Sequence, residues 1–366
     1  MTEPRPTPLP ESSGRFFLPG PTAVDSRVLA AQARAVIGHR GPGIRTLVAR
    51  IQEGLRTIFR TDRPVFVSTS SATGLMEAAV RNGVRDRLLA LVNGAFSERF
   101  AKIARACGKE VEVLEIAWGE AHEPGAVHSE TSTGALNPIA EIASAVREAS
   151  DALMLVDSVS GLGGADVRTD EWGLDFVLAG SQKALAVPPG LAFAVASKRM
   201  MERAESLPDR GCYFDLPQFR RKMEKLQTPN TPAVTLLYAL DEQLGRIREE
   251  GLDARLSRHR AMAERCWAWV EDASARAGLD LRVLAPAGRR SPTVTCVLLP
   301  EGLRGPDVVG SVTERGWVIA PGYGKLREGA IRIGHMGEHT VPELDDLLEV
   351  LAESLSVTRA PAAGGA

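Results

Sequence analysis

Phe176-Val-Leu-Ala-Gly-Ser-Gln-Lys183-Ala-Leu-Ala-Val-Pro-Pro-Gly190 is the stretch on which the rest of the reading depends. Phe176–Ala179 has the length and apolarity of a short buried strand, and small and polar residues follow it up to Lys183. A lysine just past a buried strand is open to desolvation, which favours the neutral amine. That is the form that attacks a carbonyl to make a Schiff base. Pro188-Pro189-Gly190 sets the next turn before a second apolar run, Leu191–Ala196. A lone lysine in such a place is ordinarily a solvated surface charge, so a partner is needed to give it meaning.

Leu153-Met-Leu-Val-Asp157-Ser-Val159 supplies one. It is another apolar run, and it ends in a carboxylate. Parallel sheets carry their chemistry at the carboxyl ends of their strands, so Asp157 and Lys183 are expected at one sheet edge. An aspartate for a pyridine nitrogen and a lysine for an aldehyde are the pair that pyridoxal phosphate requires. The bland alternative for Asp157 is a helix cap or a loop carboxylate.

With these residues in view, Val-Asp157-Ser-Val and Gly180-Ser-Gln-Lys183-Ala-Leu followed by Pro-Pro-Gly resemble the class V aminotransferases, in the alanine/serine–glyoxylate aminotransferase branch. The resemblance runs from about Phe16 to Leu355. It implies an α/β fold of the aspartate-aminotransferase type (fold type I), with a mostly parallel sheet between helices and a smaller C-terminal α/β domain. The divisions expected are a disordered arm over residues 1–15, a large cofactor-binding domain over 16–255, a small domain over 256–356 and a disordered tail over 357–366. The cofactor implied is pyridoxal 5′-phosphate, and the assembly implied is a homodimer with active sites at its interface.

Further motifs follow in order. The resemblance sets Pro19-Gly20-Pro21 across the mouth of the site, which makes Gly20 a substrate-side candidate. Pro64–Ser68 reads as a strand, and Ser70-Ser-Ala-Thr-Gly74 opens a helix. A helix N-terminus reached through small residues presents free N–H groups and a positive dipole end to an anion. Ser71, Ala72 and Thr73 are therefore read as the phosphate cup, an ordinary Ser/Thr cap being the alternative. After the strand Leu88–Val92 comes Phe96, whose ring can stack on a flat cofactor or be tucked under its helix. The resemblance adds Thr131, from His128-Ser-Glu-Thr-Ser-Thr-Gly134, together with Val159 and Gln182, to the cofactor's surroundings. It assigns Thr231, in Gln227-Thr-Pro-Asn-Thr-Pro, to the partner subunit's cofactor phosphate.

Arg332 lies inside the short apolar strand Ala330–Gly334, where an unpaired guanidinium is costly. Its planar fork suits a carboxylate, either an internal acid or, as the resemblance implies, the α-carboxylate of an amino-acid substrate. The function expected is transfer of the amino group of alanine or serine to glyoxylate or pyruvate. Aspartate or aminophosphonate transamination on the same scaffold is the alternative. A cysteine desulfurase would need a reactive cysteine on a mobile loop, and Cys296, inside a strand, is a poor candidate.

One departure matters. Relatives reach the His128–Gly134 loop through a helix and a further inner strand, whereas residues 117–127 are fewer than the dozen or more of a parallel crossover. The expectation is no helix longer than one turn there, with Thr131 still near Asp157. If the loop is displaced, the chain is a non-catalytic homologue.

Composition sets the bounds. The 366 residues are 44% hydrophobic and 25% charged with a net charge of −2, which gives no reason to expect nucleic acid or an anionic membrane as partner. No apolar run nears the roughly 20 residues of a membrane span, and the Pro-rich N-terminus lacks the apolar core of a signal peptide. Four scattered cysteines without a CxxC pair point to a reducing cytoplasm and no structural zinc. His335 and His339 are spaced by four, but the flanking glycines disfavour the helix that would make a metal site of them.

Overall fold

The computed structural model describes residues 15–121 and 128–359. The N-terminal arm over 1–14, residues 122–127 of the shortened link and the tail over 360–366 lie outside the described residues. The first part of the chain is built from α1 (Pro42–Phe59), β1 (Val65–Ser68), α2 (Ala72–Gly83), β2 (Arg87–Val92), α3 (Ala95–Ala106), β3 (Glu110–Glu115), α4 (Ile139–Ala149), β4 (Leu155–Asp157), β5 (Phe176–Gly180), β6 (Ala192–Ala196) and α5 (Val234–Glu250). The second part contains α6 (Leu252–Ala277), β7 (Arg282–Val283), β8 (Thr295–Leu298), α7 (Gly305–Glu314), β9 (Ala320–Pro321), β10 (Ala330–Ile333) and α8 (Val341–Arg359).

The strand order in the main sheet is β1-β6-β5-β4. β4 pairs parallel with β5, while β6 runs antiparallel to both β5 and β1. The sheet is thus mixed, with β6 alone running against the other three strands of an otherwise parallel arrangement, as expected. The cause is local: the chain returns from β5 to β6 through the Pro188-Pro189-Gly190 turn without a crossover helix, and only an antiparallel neighbour can be reached that way. β1, β5 and β4 nevertheless share one direction, so Ser68, Gly180 and Asp157 end at the same edge. Every residue of β1, β5 and β6 is buried, as expected of strands covered on both faces.

β2 and β3 pair parallel with each other as a separate two-stranded unit. Among the described residues no strand joins this unit to β4, which is where an inner strand was expected to be lost. Residues 117–121 form no helix. The chain re-emerges with His128, whose N–H donates to the carbonyl of Asp157 at 3.0 Å.

Two apolar cores result. One joins α1, α2, α4, α5 and the main sheet, and includes Ile51, Leu75, Phe176, Phe193 and Leu240. The other joins α6, α7 and α8 to the antiparallel sheet β7-β8-β10-β9, and recruits Phe17 from the N-terminal segment. The expected division at residue 255 falls within α6: Arg255 reaches the Ala184 carbonyl of the first part, while Met262, Cys266 and Val270 belong to the second core. The long helical region breaks at Gly251, whose φ of 84° caps α5 and starts α6. The C-terminal helix continues to Arg359, so residues 357–359, expected in a disordered tail, are helical, extending the turns anchored by Leu351 and Leu355.

Candidate active site

Because β4 and β5 are parallel, the turns that follow them meet. Asp157 and Lys183 are both buried. Burial, and then the nearby Arg332 guanidinium, push the Lys183 amine down to about 8; Asp157 opposes this and Arg99 adds to it. Burial pushes the Asp157 carboxyl up to about 7, although the Val159 N–H donates to its Oδ1 at 2.8 Å and Lys183 also favours the anion. That is the only hydrogen bond to this carboxylate among the described residues. Lys183 Nζ donates to the carbonyl of Pro19. A Cβ added to Gly20 would lie 2.5 Å from Lys183 Nζ, so only glycine leaves the lysine its place.

The Phe96 ring centroid is 6.0 Å from Lys183 Nζ and 5.5 Å from the Tyr323 ring. Arg332 stacks over Tyr323 at 5.3 Å and donates to the carbonyls of Pro321 (3.1 Å) and Thr131 (3.3 Å). Among the described residues no carboxylate pairs with it, so the internal salt bridge is absent there. Thr131 bonds through its hydroxyl to Ser160, three residues beyond Asp157. The His128–Gly134 loop therefore lies beside the Asp157 turn despite the short link. Gln182 meets the N-terminal segment, its carbonyl accepting the N–H of Thr22 at 3.0 Å.

At the end of β1, Ser71 has extended backbone (φ −74°, ψ 162°) and makes no side-chain cap, which leaves the N-terminus of α2, with Ala72 and Thr73, uncapped by any side chain. Thr231 is exposed and, among the described residues, forms no hydrogen bond with Lys183 or Asp157; its segment meets the α2 turn through Ala233, whose N–H donates to Thr69 Oγ1 at 3.1 Å.

Several residues at this site were not singled out from sequence. Glu130 is fully buried and accepts from the N–H groups of Phe96, Ser97 and Ser132 and from the hydroxyls of Ser97 and Ser132. Arg99 donates to the Tyr323 hydroxyl at 3.1 Å, and its place one turn beyond Phe96 on α3 was the available signal. Gly161-Leu-Gly-Gly164 allows close approach: a Cβ on Gly161 would lie 2.5 Å from His128 Nδ1, and one on Gly163 3.0 Å from Leu185. The two C-terminal histidines are structural. His335 bonds Thr295 Oγ1 (2.8 Å) and the Pro292 carbonyl (3.1 Å), and His339 stacks on Phe17 with centroids 4.0 Å apart. Burial pushes the Cys296 thiol up to about 12, which leaves it inert as a desulfurase nucleophile.

Comparison with known proteins gives these features a context. The family model "Aminotransferase class-V" matches residues 125–323. An uncharacterised aminotransferase of Methanocaldococcus jannaschii is 39% identical over 346 residues, covering 88% of this chain and 87% of the relative. A serine–glyoxylate aminotransferase of Methylorubrum extorquens is 31% identical, covering 88% and 86%. The crystal structure of an alanine–glyoxylate aminotransferase from Nostoc sp. superposes with a TM-score of 0.88 at 30% identity, covering 97% of this chain and 98% of that one. The family implies pyridoxal 5′-phosphate, and the residues present fit it: an uncapped helix N-terminus for a phosphate, a buried lysine with a lowered pKa for an aldehyde, and a buried carboxylate that accepts a single hydrogen bond among the described residues for a ring nitrogen. In sequence, fold and site chemistry alike, the chain belongs to the class V aminotransferases, which are pyridoxal-phosphate enzymes.

Proposed function

We propose that this aminotransferase moves the amino group of a small amino acid, alanine or serine, to a small 2-oxo acid, glyoxylate or pyruvate. When bound, pyridoxal 5′-phosphate supplies an aldehyde and a ring that accepts an electron pair. Lys183 is the amine for that aldehyde. With Nζ near 8, an appreciable fraction is neutral at physiological pH, and in that form it would take the proton from the donor's Cα. Asp157 holds a proton on the ring nitrogen. Ser71, Ala72 and Thr73 hold the phosphate at the α2 N-terminus, Phe96 covers one ring face, and Thr131, Val159 and Gln182 complete the pocket.

The observation that carries this reading is Arg332. It is a buried guanidinium, electrostatically coupled to Lys183, held by two backbone carbonyls and an aromatic face and by no acid among the described residues. Such a group is suited to the substrate's α-carboxylate, and Gly20, packed against Lys183, is assigned to the substrate side. Thr231, exposed in the single chain, is assigned to the phosphate of a second copy in a homodimer, and the enzyme is placed in the cytoplasm. No helix of the described residues is long and apolar enough to cross a membrane.

The test is steady-state transamination with alanine, serine and aspartate as donors and glyoxylate or pyruvate as acceptor. Turnover with alanine or serine is expected to give the highest kcat/KM. Turnover with aspartate alone would overturn the assignment.

A further inference from the structure

Arg255, in the first turn of α6, is among the largest fully buried side chains of the protein. Nothing in the proposed chemistry uses it. Its Nη2 donates to the carbonyl of Ala184 at 2.7 Å, one residue past Lys183, and its Nε to the carbonyl of Gly163 at 3.1 Å, six residues past Asp157. Its Nη1 reaches Glu250 at 3.0 Å and Glu338 at 2.8 Å. Glu338 is also held by Gln243 (2.7 Å) and Arg246 (2.8 Å), and Glu250 by Arg258. A guanidinium taken wholly out of water is costly unless its donors are met, and here each nitrogen has a partner. Arginine suits the place because one rigid plane carries donors in several directions.

The turn it holds is strained. Ala186, three residues past Lys183, has φ 52°, a left-handed conformation in which the Cβ of an L-residue crowds the following carbonyl. Such strain persists only where surrounding contacts over-determine it. The neighbouring loop is pressed against the same turn, since a Cβ on Gly164 would lie 3.1 Å from Ala184 Cβ.

We infer that Arg255 is a positioning residue for transamination: it clamps the Lys183 turn to the loop after Asp157 and ties both to Glu338. The inference rests on the roles of Lys183 and Asp157 proposed above. Its test compares R255K, R255Q and E338Q, each loaded with cofactor. R255K and R255Q cannot span the two carbonyls and reach the acids together. They are expected to lose roughly 10–100-fold in kcat, as small misplacements of reacting groups do. The donor KM should stay within about threefold, because Arg332 is untouched, and the absorption and circular-dichroism bands of the bound cofactor should shift. E338Q leaves the guanidinium on both carbonyls, so it should lower Tm yet keep kcat within about threefold.

Turnover by R255K within about twofold of wild type overturns the inference. So does an equal loss of kcat in E338Q, or failure of both Arg255 variants to fold, since each makes the network a device for stability alone. Borohydride reduction of the wild type separates this failure from that of the underlying roles. A wild type without label on Lys183 refutes the roles themselves, whereas a labelled wild type with a normal R255K refutes only the clamp.

Discussion

Burial drives a carboxylate and an amine toward neutrality from opposite directions, and Asp157 and Lys183 show both movements within one site. For Asp157 this has a consequence for stability. Its carboxyl binds a proton more tightly in the folded chain, near 7, than in the unfolded chain, near 4. The cofactor-free protein therefore loses stability as pH rises from about 4 to 7, by up to about 4 kcal/mol from this group. D157N removes the loss. Cofactor-free D157N should melt several degrees above cofactor-free wild type at pH 8 and at a similar temperature near pH 4, while the cofactor-loaded variant loses its activity. Parallel Tm curves across that range would contradict the assignment. At Arg332 the expected effect is on binding. R332K keeps the charge but not the fork, and loses roughly 1.5–3 kcal/mol of charged hydrogen bonding. The donor KM should rise about 10- to 150-fold with kcat little changed. A soluble R332K with a wild-type KM would make the arginine a structural residue.

Between elements, the contact that matters most is the one Glu130 makes with the N-terminus of α3. A carboxylate from a loop 33 residues downstream takes the first-turn N–H groups, as a capping side chain would, and holds Phe96 where its ring nears Lys183. E130A leaves several buried donors unpaired, at roughly 1–3 kcal/mol each before relaxation. Thermal unfolding should therefore report a loss of about 2–4 kcal/mol, and a change below 0.5 kcal/mol would mean that water replaces the carboxylate freely. Local pattern made the central strands readable: the apolar runs ending at Asp157 and Gly180 follow from composition over a few residues. Pairing was not readable. The antiparallel place of β6 depends on what its turn can reach. The close packing around Gly161–Gly164 depends on Ala184 and His128, distant in sequence. For the shortened link, residues 117–121 carry no helix, as expected, while 122–127 lie outside the described residues. Trp118 in that link takes the Lys325 ammonium on its ring at 4.2 Å, beside the loop that carries Tyr323.

At the scale of the whole molecule, most of the residues chosen from sequence gather at one sheet edge: Asp157, Val159, Lys183, Phe96, Thr131, Arg332 and Gly20 meet through direct contacts or shared neighbours. Thr231 does not, and a single chain offers no partner for it. The homodimer proposed for it predicts a solution mass of twice the 39.2 kDa of the chain, and a monomer with full activity would dismiss that role. Arg255 escaped the sequence reading because a charged residue in an amphipathic helix reads as solvated, and only the folded molecule sets it under Ala184. The site's chemistry converges on one nitrogen atom, Lys183 Nζ. Purified protein supplied with pyridoxal 5′-phosphate should absorb near the edge of the visible range. Borohydride should abolish that band and leave the reduced cofactor covalently on Lys183, as read by peptide mass spectrometry, and K183A should take up no label and turn over at a small fraction of the wild-type rate. A label on another lysine, or a K183A variant that transaminates near the wild-type rate, would contradict the account.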